Sequence, residues 1–280
     1  MGMENCTGRV ALITGASRGL GANIARELAA DGCHVALTAR TIEPLDTLAR
    51  EIETETGRTA IAVPGDVTSP GDRSGVVEQV AAVLGPVDIL VNTAAIAKAT
   101  PFTAEDPALP IATNLEAPMQ LTRLVVPGMI ERGFGRVLNI ASLAGLAGLP
   151  HLVDYSASKA GLIAFSTALR AELRGTGVST TVVSPGFIGD EGMYPAYETP
   201  VPWYLGTNAS AIVARRAVRA MRRDRSEVIV NRLPLRALVV LGSMSDRAMR
   251  AMTRALGAED YLRGLADRRL PYSDLVAVPR

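Results

Sequence analysis

Three glycines set the first constraint on this chain. The segment Thr14-Gly15-Ala16-Ser17-Arg18-Gly19-Leu20-Gly21 follows a short apolar run, Arg9-Val-Ala-Leu-Ile-Thr14, and leads into residues whose Leu20, Ile24 and Leu28 recur at helical spacing. A strand that ends in a glycine turn and passes directly into a helix is the head of a β-α-β unit. Glycine lets the backbone turn tightly and lets a phosphate approach with no Cβ in the way. The helix N-terminus adds free N–H groups and a partial positive charge. In this setting the turn is read as a nucleotide pyrophosphate site.

The alternation then repeats. Strands are predicted at His34–Thr38, Ala60–Val63, Val87–Val91, Arg136–Ile140, Val178–Val183 and Glu227–Val230. Helices are predicted at 43–56, 70–84, within 106–132, at 153–174 and near 208–222. Strands alternating with helices imply a mostly parallel sheet with helices on both faces, a doubly wound, Rossmann-like α/β fold. At 280 residues the chain is long enough to bury its own core without metals or disulfides. We expect one domain over 1–233 and a helical extension over 234–280, with helices near 246–256 and 259–269, packed on that domain.

Composition excludes several classes. Charged residues are 20% and apolar ones 48%, which is not the make-up of a disordered chain. No apolar run reaches the roughly 18–20 residues of a membrane span. Met1 to Gly8 shows no basic stretch followed by an apolar core, so no secretory leader is expected. Two cysteines without CxxC spacing, with two histidines, give no metal site. A cytoplasmic protein is the expectation. The net charge of +1 hides an asymmetry: residues 211–280 carry 15 Arg against 7 Asp and Glu. That basic region is read first as a solvated face. It also offers Arg215, Arg216, Arg219, Arg222 and Arg223 to an anionic membrane surface by peripheral contact. Nothing points to nucleic acid. Lysine occurs only at Lys98 and Lys159.

Lys159 stands four residues after Tyr155 near the start of a predicted helix, so the two share a face. A free tyrosine has a pKa near 10 and is a poor base at neutral pH, and a nearby ammonium is expected to lower it. Ser142 follows a strand at the edge where ligands bind in open α/β sheets. The order Thr14-Gly15-xxx-Gly19-x-Gly21, Asp66-Val67, Asn92-Thr93-Ala94-Ala95, Asn114, Ser142, Tyr155-xxx-Lys159 and Pro185-Gly186 resembles the classical short-chain dehydrogenase/reductase (SDR) family from about Arg9 to Val230.

The resemblance implies an NADP(H)-dependent oxidoreductase that interconverts a ketone or aldehyde and an alcohol, a ketoreductase in the reductive direction. It implies that Ser142 and Tyr155 hold the carbonyl oxygen and that Tyr155 is the general acid/base. Lys159 would hold the nicotinamide ribose and tune Tyr155, and Asn114 would order a water that links Lys159 to solvent. The cofactor would meet Gly15, Ser17, Arg18, Gly19, Leu20, Gly21, Arg40, Asp66, Val67, Asn92, Ala94, Tyr155, Lys159, Pro185, Gly186 and Ile188. Ala95 stands where the family usually has glycine. Asp190 stands where it often has threonine, which sets a carboxylate near the expected phosphates. Alternatives are an alcohol dehydrogenase working oxidatively, a non-catalytic NADP-binding regulator, and an epimerase or dehydratase of the extended branch. The glycine spacing argues against the last.

Cofactor choice is read from the end of the second strand. NAD-selective sites place an acid there for the ribose 2′-hydroxyl, and an Arg accommodates a 2′-phosphate. Here the strand ends Ala39-Arg40, with no carboxylate before Glu43, and Arg18 projects from the glycine turn. NADP(H) is therefore expected. Residues 187–207 hold five of the eleven aromatics and are read as a lid over a hydrophobic substrate pocket, lined also by Leu143, Leu146, Leu149 and Leu152. The small residues Ala157, Gly161, Ala164 and Ala168 suggest a homodimer or homotetramer. His34 is expected to pack at a strand start and His151 to lie at the surface.

Overall fold

The computed structural model describes residues 3, 6–190, 201, 202, 207–231, 245–268 and 270. The strands are β1 (Val10–Thr14), β2 (His34–Thr38), β3 (Ala60–Ala62), β4 (Ile89–Asn92), β5 (Gly135–Ile140), β6 (Val178–Pro185), β7 (Phe187–Ile188), β8 (Thr207–Asn208) and β9 (Glu227–Val230). Seven of them form one parallel sheet in the order β3-β2-β1-β4-β5-β6-β9. β7 and β8 make a separate two-stranded parallel ribbon, which the sequence pattern does not announce. The strand order reverses between β1 and β4, which opens a crevice beyond the carboxyl ends of the strands.

Burial explains the layers. β1 alternates: Ala11 and Ile13 face a core completed by α1 (Gly19–Ala30), α2 (Ile42–Thr56) and α7 (Ser210–Arg222). Val10 and Leu12 face the opposite core, completed by α3 (Pro70–Val83) and α5 (Ala117–Glu131). This is the period of two of a strand covered on both faces. Each fully buried Leu or Ile on these strands contributes about 1.5–3 kcal/mol relative to exposure.

The helical stretches predicted within 106–132 are joined through a π turn. α4 (Ala108–Ile111) leads into a π turn at Ala112–Glu116 before α5 begins. Pro118, four residues after Asn114, has no N–H to give the Asn114 carbonyl. The ladder shifts locally to five-residue spacing, with the Ala117 N–H donating to the Ala112 carbonyl. Such turns recur at functional sites.

α6 (Val153–Glu172) lies beside the π turn. Gly161 is engaged within the chain, since a Cβ there would sit 2.8 Å from Leu115 Cδ2, whereas Ala157, Ala164 and Ala168 are exposed. Asp190 is turned to α7: its carboxylate accepts the Ser210 N–H at 2.9 and 3.0 Å. The carboxylate that looked like a liability beside phosphate is thus a cap on a helix N-terminus, where negative charge is favoured. Two of the five arginines proposed as a membrane surface face carboxylates. Arg222 donates to both Asp31 oxygens at 3.0 Å and Arg215 lies 3.9 Å from Glu27.

The extension forms α8 (Asp246–Ala255) and α9 (Ala258–Asp267), close to the predicted helices. The apolar run Ala237–Leu241 lies outside the described residues. So does most of the aromatic segment read as a lid, including Tyr194, Tyr197, Trp203 and Tyr204. His34 starts β2 as expected, and its Nδ1 accepts the Thr59 N–H at 3.3 Å.

Candidate active site

A cleft of about 420 Å³ runs along the carboxyl ends of the strands, from Arg40 at one end to Tyr155 and Phe187 at the other. Its floor is the glycine turn. Gly15 has φ +65, and a Cβ there would lie 2.8 Å from Ala94 Cα. A Cβ on Gly21 would lie 2.2 Å from the Gly15 carbonyl oxygen. Only glycine lets the turn press against the β4 loop and the helix start at once. Thr14 ties the same two segments: its hydroxyl accepts the N–H groups of Thr93 and Ala94 at 3.0 and 3.1 Å. Ala95 in place of glycine leaves this junction intact.

Ser17, Arg18, Gly19, Leu20, Ala39, Arg40, Asp66 and Val67 also line this half. Arg18 is the residue before α1, and burial holds its guanidinium below the usual value. Arg40 is exposed on the rim, and no ion pair joins it to Glu43 among the described residues. The Asp66 carboxylate caps its own turn, accepting from the Thr68 N–H at 2.8 Å and the Thr68 hydroxyl at 2.7 Å. It lines the cleft as well. Pro185, Gly186 and Ile188 close the opposite wall, joined by Asn231.

The reacting end is built from β5 and α6. Ser142 follows β5 in extended backbone, and its hydroxyl accepts the Ala144 N–H at 3.2 Å. The same hydroxyl shares a hydrogen bond with Tyr155. Lys159, one turn on, is 2% exposed; its Nζ donates to the Ile140 carbonyl at 2.8 Å and lies 5.7 Å from the Tyr155 ring centre. Burial pushes the Lys159 ammonium down to about 7. It also pushes the Tyr155 phenol up, with the Ser142 hydrogen bond acting the other way. The expected lowering by the ammonium is therefore overturned: desolvation is the dominant cause. A phenol held above its ordinary pKa keeps its proton at neutral pH.

Two expected site residues lie behind the cleft wall. Asn114 is fully buried in the π turn. Its Oδ1 accepts the Ile96 N–H, and its Nδ2 donates to the Ile96 carbonyl and the Ser158 hydroxyl, at 2.8, 2.8 and 3.1 Å. Both side-chain N–H groups are engaged, so it fastens the β4 loop to α6. Asn92 is 2% exposed and donates to Asn139 Oδ1 at 2.8 Å, and Asn139 donates on to Ser166. Its side chain braces β4 against β5 and does not face the cleft, because at its position the strand's alternation points inward. Leu143 and Leu149 line the cleft as expected, but Leu146 and Leu152 do not. Leu152 joins Leu262 and Leu265 of α9 in an apolar cluster, and Leu146 packs against the pair Ala147 and Met249 of α8. The helical extension draws these two leucines away.

Sequence reasoning missed Gly145. A Cβ there would lie 2.7 Å from the Lys159 carbonyl carbon and 2.8 Å from the Ala160 nitrogen. Only its place three residues after Ser142 hinted at this close approach. It placed the helix at 259–269 but missed that α9 reaches the site, where Leu262, Leu265 and Ala266 share one apolar cluster with Tyr155. His151 has a left-handed φ of +63 and gives its carbonyl to the Thr100 N–H; it is half-buried and does not line the cleft.

Residues 9–198 match the short chain dehydrogenase family. The ketoacyl reductase HetN of Nostoc sp. is 38% identical over 277 residues, covering 96% of this chain and 96% of that protein. Among solved structures, a metagenomic short-chain oxidoreductase in complex with NADP aligns with a TM-score of 0.69 at 33% identity, covering 80% of this chain and 97% of its own. A variant of actinorhodin polyketide ketoreductase with NADPH aligns with a TM-score of 0.70 at 30% identity, covering 80% of this chain and 95% of its own.

Proposed function

The chain belongs to the short chain dehydrogenase family and is an oxidoreductase, and on that premise we propose that it reduces a ketone to an alcohol with NADPH. The observation that carries this reading is the convergence of Ser142, Tyr155 and buried Lys159 at one end of a cleft whose other end is a glycine cradle. The cradle fits a dinucleotide: Gly15 and Gly21 leave no Cβ where a pyrophosphate would approach, and Arg18 and Arg40 flank the adenosine end, with no carboxylate at the end of β2. Bound there, NADPH supplies the hydride.

This chain's residues handle the proton. Ser142 donates a hydrogen bond to the substrate carbonyl oxygen and orients it beside Tyr155. As hydride reaches the carbonyl carbon, the Tyr155 phenol transfers its proton to the oxygen, which becomes the alcohol hydroxyl. The resulting phenolate is stabilised by Ser142 and the Lys159 ammonium, and is reprotonated from solvent. The overall balance is ketone, NADPH and one proton to alcohol and NADP+. Lys159, poised near neutrality, is suited to pass that proton. Asn114 contributes by holding the Ile96 loop and α6 in register. General acid catalysis of this type accounts for about 10²–10⁴-fold, and alignment in the cleft adds proximity.

Hydrophobic character of the substrate is supported by Leu143, Leu149 and Phe187 at the reacting end. A homo-oligomer is supported by exposed Met119, Leu124 and Ile130 on α5 and Val153 on α6. A cytoplasmic place fits two free, buried thiols; no helix among the described residues is long and apolar enough to cross a membrane. The test is NADPH oxidation with a panel of apolar ketones. Tyr155→Phe should keep NADPH binding within twofold and lose most turnover. Near-normal kcat in that variant would overturn the mechanism.

A further inference from the structure

The walls around Tyr155 that come from the sheet and its loops are mostly small. Ala97 and Ala99 follow β4, and Ala144 follows Ser142. Alanines at these places leave room in the cluster that holds the tyrosine ring. The structure fills it from residues well beyond the stretch matched by the family. Leu262 and Leu265 of α9 are both 0% exposed, and they complete the cluster with Leu152 and Tyr155. The bulk on this side of Tyr155 is thus delivered by the helical extension.

α9 also reaches the cleft wall proper. Tyr261 meets the Phe187 ring edge-on, with centroids 6.0 Å apart and planes at 82°. Phe187 lines the cleft, and so does Leu149, which packs against the same cluster. An edge-to-face aromatic pair is directional and fixes the tilt of the outer ring. The position of Phe187, and with it the space beside the reacting carbonyl, is set by a residue that does not itself line the cleft.

We propose that α9 is the closed end of the substrate pocket, and that Tyr261 and Leu262 are positioning residues which decide how large an apolar group on the carbonyl carbon is accepted. Tyr261 acts through Phe187, and Leu262 acts through the ring of Tyr155. The ligand is the apolar arm of the ketone. The inference rests on the ketone-reductase reading, because that reading places the carbonyl at Tyr155. It adds a residue-level cause of selectivity outside the cleft lining.

The test uses full-length protein and two substitutions of opposite sense, Tyr261→Ala and Tyr261→Trp, with Leu262→Val as a milder check on the second position. A small acyclic ketone and a bulky bicyclic ketone are compared by kcat/KM, and the NADPH Kd is measured alongside. Tyr261→Ala should raise the bulky-to-small ratio by about tenfold and Tyr261→Trp should lower it, the range one or two carbons command in an apolar pocket. The NADPH Kd should stay within twofold. A fall of both substrates by the same factor would make α9 a structural prop and overturn the proposal, as would an unchanged ratio in both variants. Calorimetric binding of the same two ketones to the NADP+ complex reads pocket size without turnover. A shift in their relative affinity with no turnover in the parent would uphold the pocket and sink the ketone-reductase reading. An unshifted affinity alongside normal turnover would do the reverse.

Discussion

Gly145→Ala adds one methyl group, alters no polar atom and should nonetheless damage catalysis. The new Cβ would meet three backbone atoms of α6: the Lys159 carbonyl carbon at 2.7 Å, the Ala160 nitrogen at 2.8 Å and the Lys159 carbonyl oxygen at 2.9 Å. Comfortable carbon contacts are about 3.5–4.0 Å. Backbone on both sides cannot rotate away, so the turn and the helix must part by roughly 0.7–1 Å to restore those contacts. The turn carries Ser142, and the helix carries Tyr155 and Lys159. The wedge therefore parts the Ser142 and Tyr155 hydroxyls, which the proposed mechanism brings to one oxygen. A misplacement of about 1 Å costs on the order of 10²-fold in rate. NADPH oxidation with a ketone that the parent reduces should show kcat/KM down by about that factor. NADPH affinity should fall by much less than kcat/KM, since the glycine cradle is remote and only the Lys159 end of the cofactor site moves. A loss below threefold would refute the claim that this close approach sets the catalytic geometry.

Arg40→Ala should raise the KM for NADPH by roughly tenfold to a hundredfold, the worth of one charge-assisted phosphate contact, and leave NADH kinetics unaltered; equal effects on both cofactors would contradict the 2′-phosphate assignment. Asp190→Ala removes the carboxylate that accepts the Ser210 N–H. Thermal unfolding should fall by about 2–4 °C, for a cap worth about 1 kcal/mol in a chain of this size, with NADPH affinity within twofold. Folded Lys159 titrates near 7 while an unfolded lysine titrates near 10.4, so between those values the unfolded chain holds the extra proton and stability should rise with pH. Below about pH 7 the full cost of burying the charge is present. Urea midpoints for the parent and Lys159→Met at pH 7 and pH 9 should diverge in that direction, and parallel shifts would exclude a depressed Lys159.

Much of the fold was legible because two periodicities dominate the chain. β1 reads as a strand from its apolar run, and α1 and α7 read as helices from their spaced leucines, valines and alanines. The break at Ala112–Glu116 was not legible from periodicity alone, since an inserted residue shifts the hydrogen-bond ladder without disturbing the apolar stripe. Pro118 was its only local sign. The ends of the site were legible as motifs, but not the direction in which each side chain points. Asn92 and Asn114 stand at motif positions yet face inward, as bracing between elements far apart in sequence. The same limit applies to Leu146 and Leu152, whose partners lie some hundred residues later in the extension. Contacts of that separation leave no mark on a local pattern. The direction of the Tyr155 shift was not legible for a related reason: the lysine four residues away is visible in the sequence, and the burial that raises the phenol is not.

The chain's use of lysine gains a physical meaning from these burials. All but two of its 29 basic residues are arginine, and both lysines are buried, Lys98 at 8% and Lys159 at 2% exposed. Lys98 meets the Glu105 carboxylate. Lys159 has a backbone carbonyl, and no ion pair among the described residues. Arginine keeps its charge under burial, so at position 159 it would place a permanent cation beside the phenol, and its planar fork would not fit one carbonyl and one turn of helix. Lysine is the basic side chain that desolvation brings into the physiological range. On the proposed mechanism, position 159 is where the cation must also be able to give up its proton, which arginine cannot do. Lys159→Arg should therefore not restore what Lys159→Met removes. It keeps a charge beside the phenol but loses the titration near 7, so turnover should stay low and no longer change across that pH.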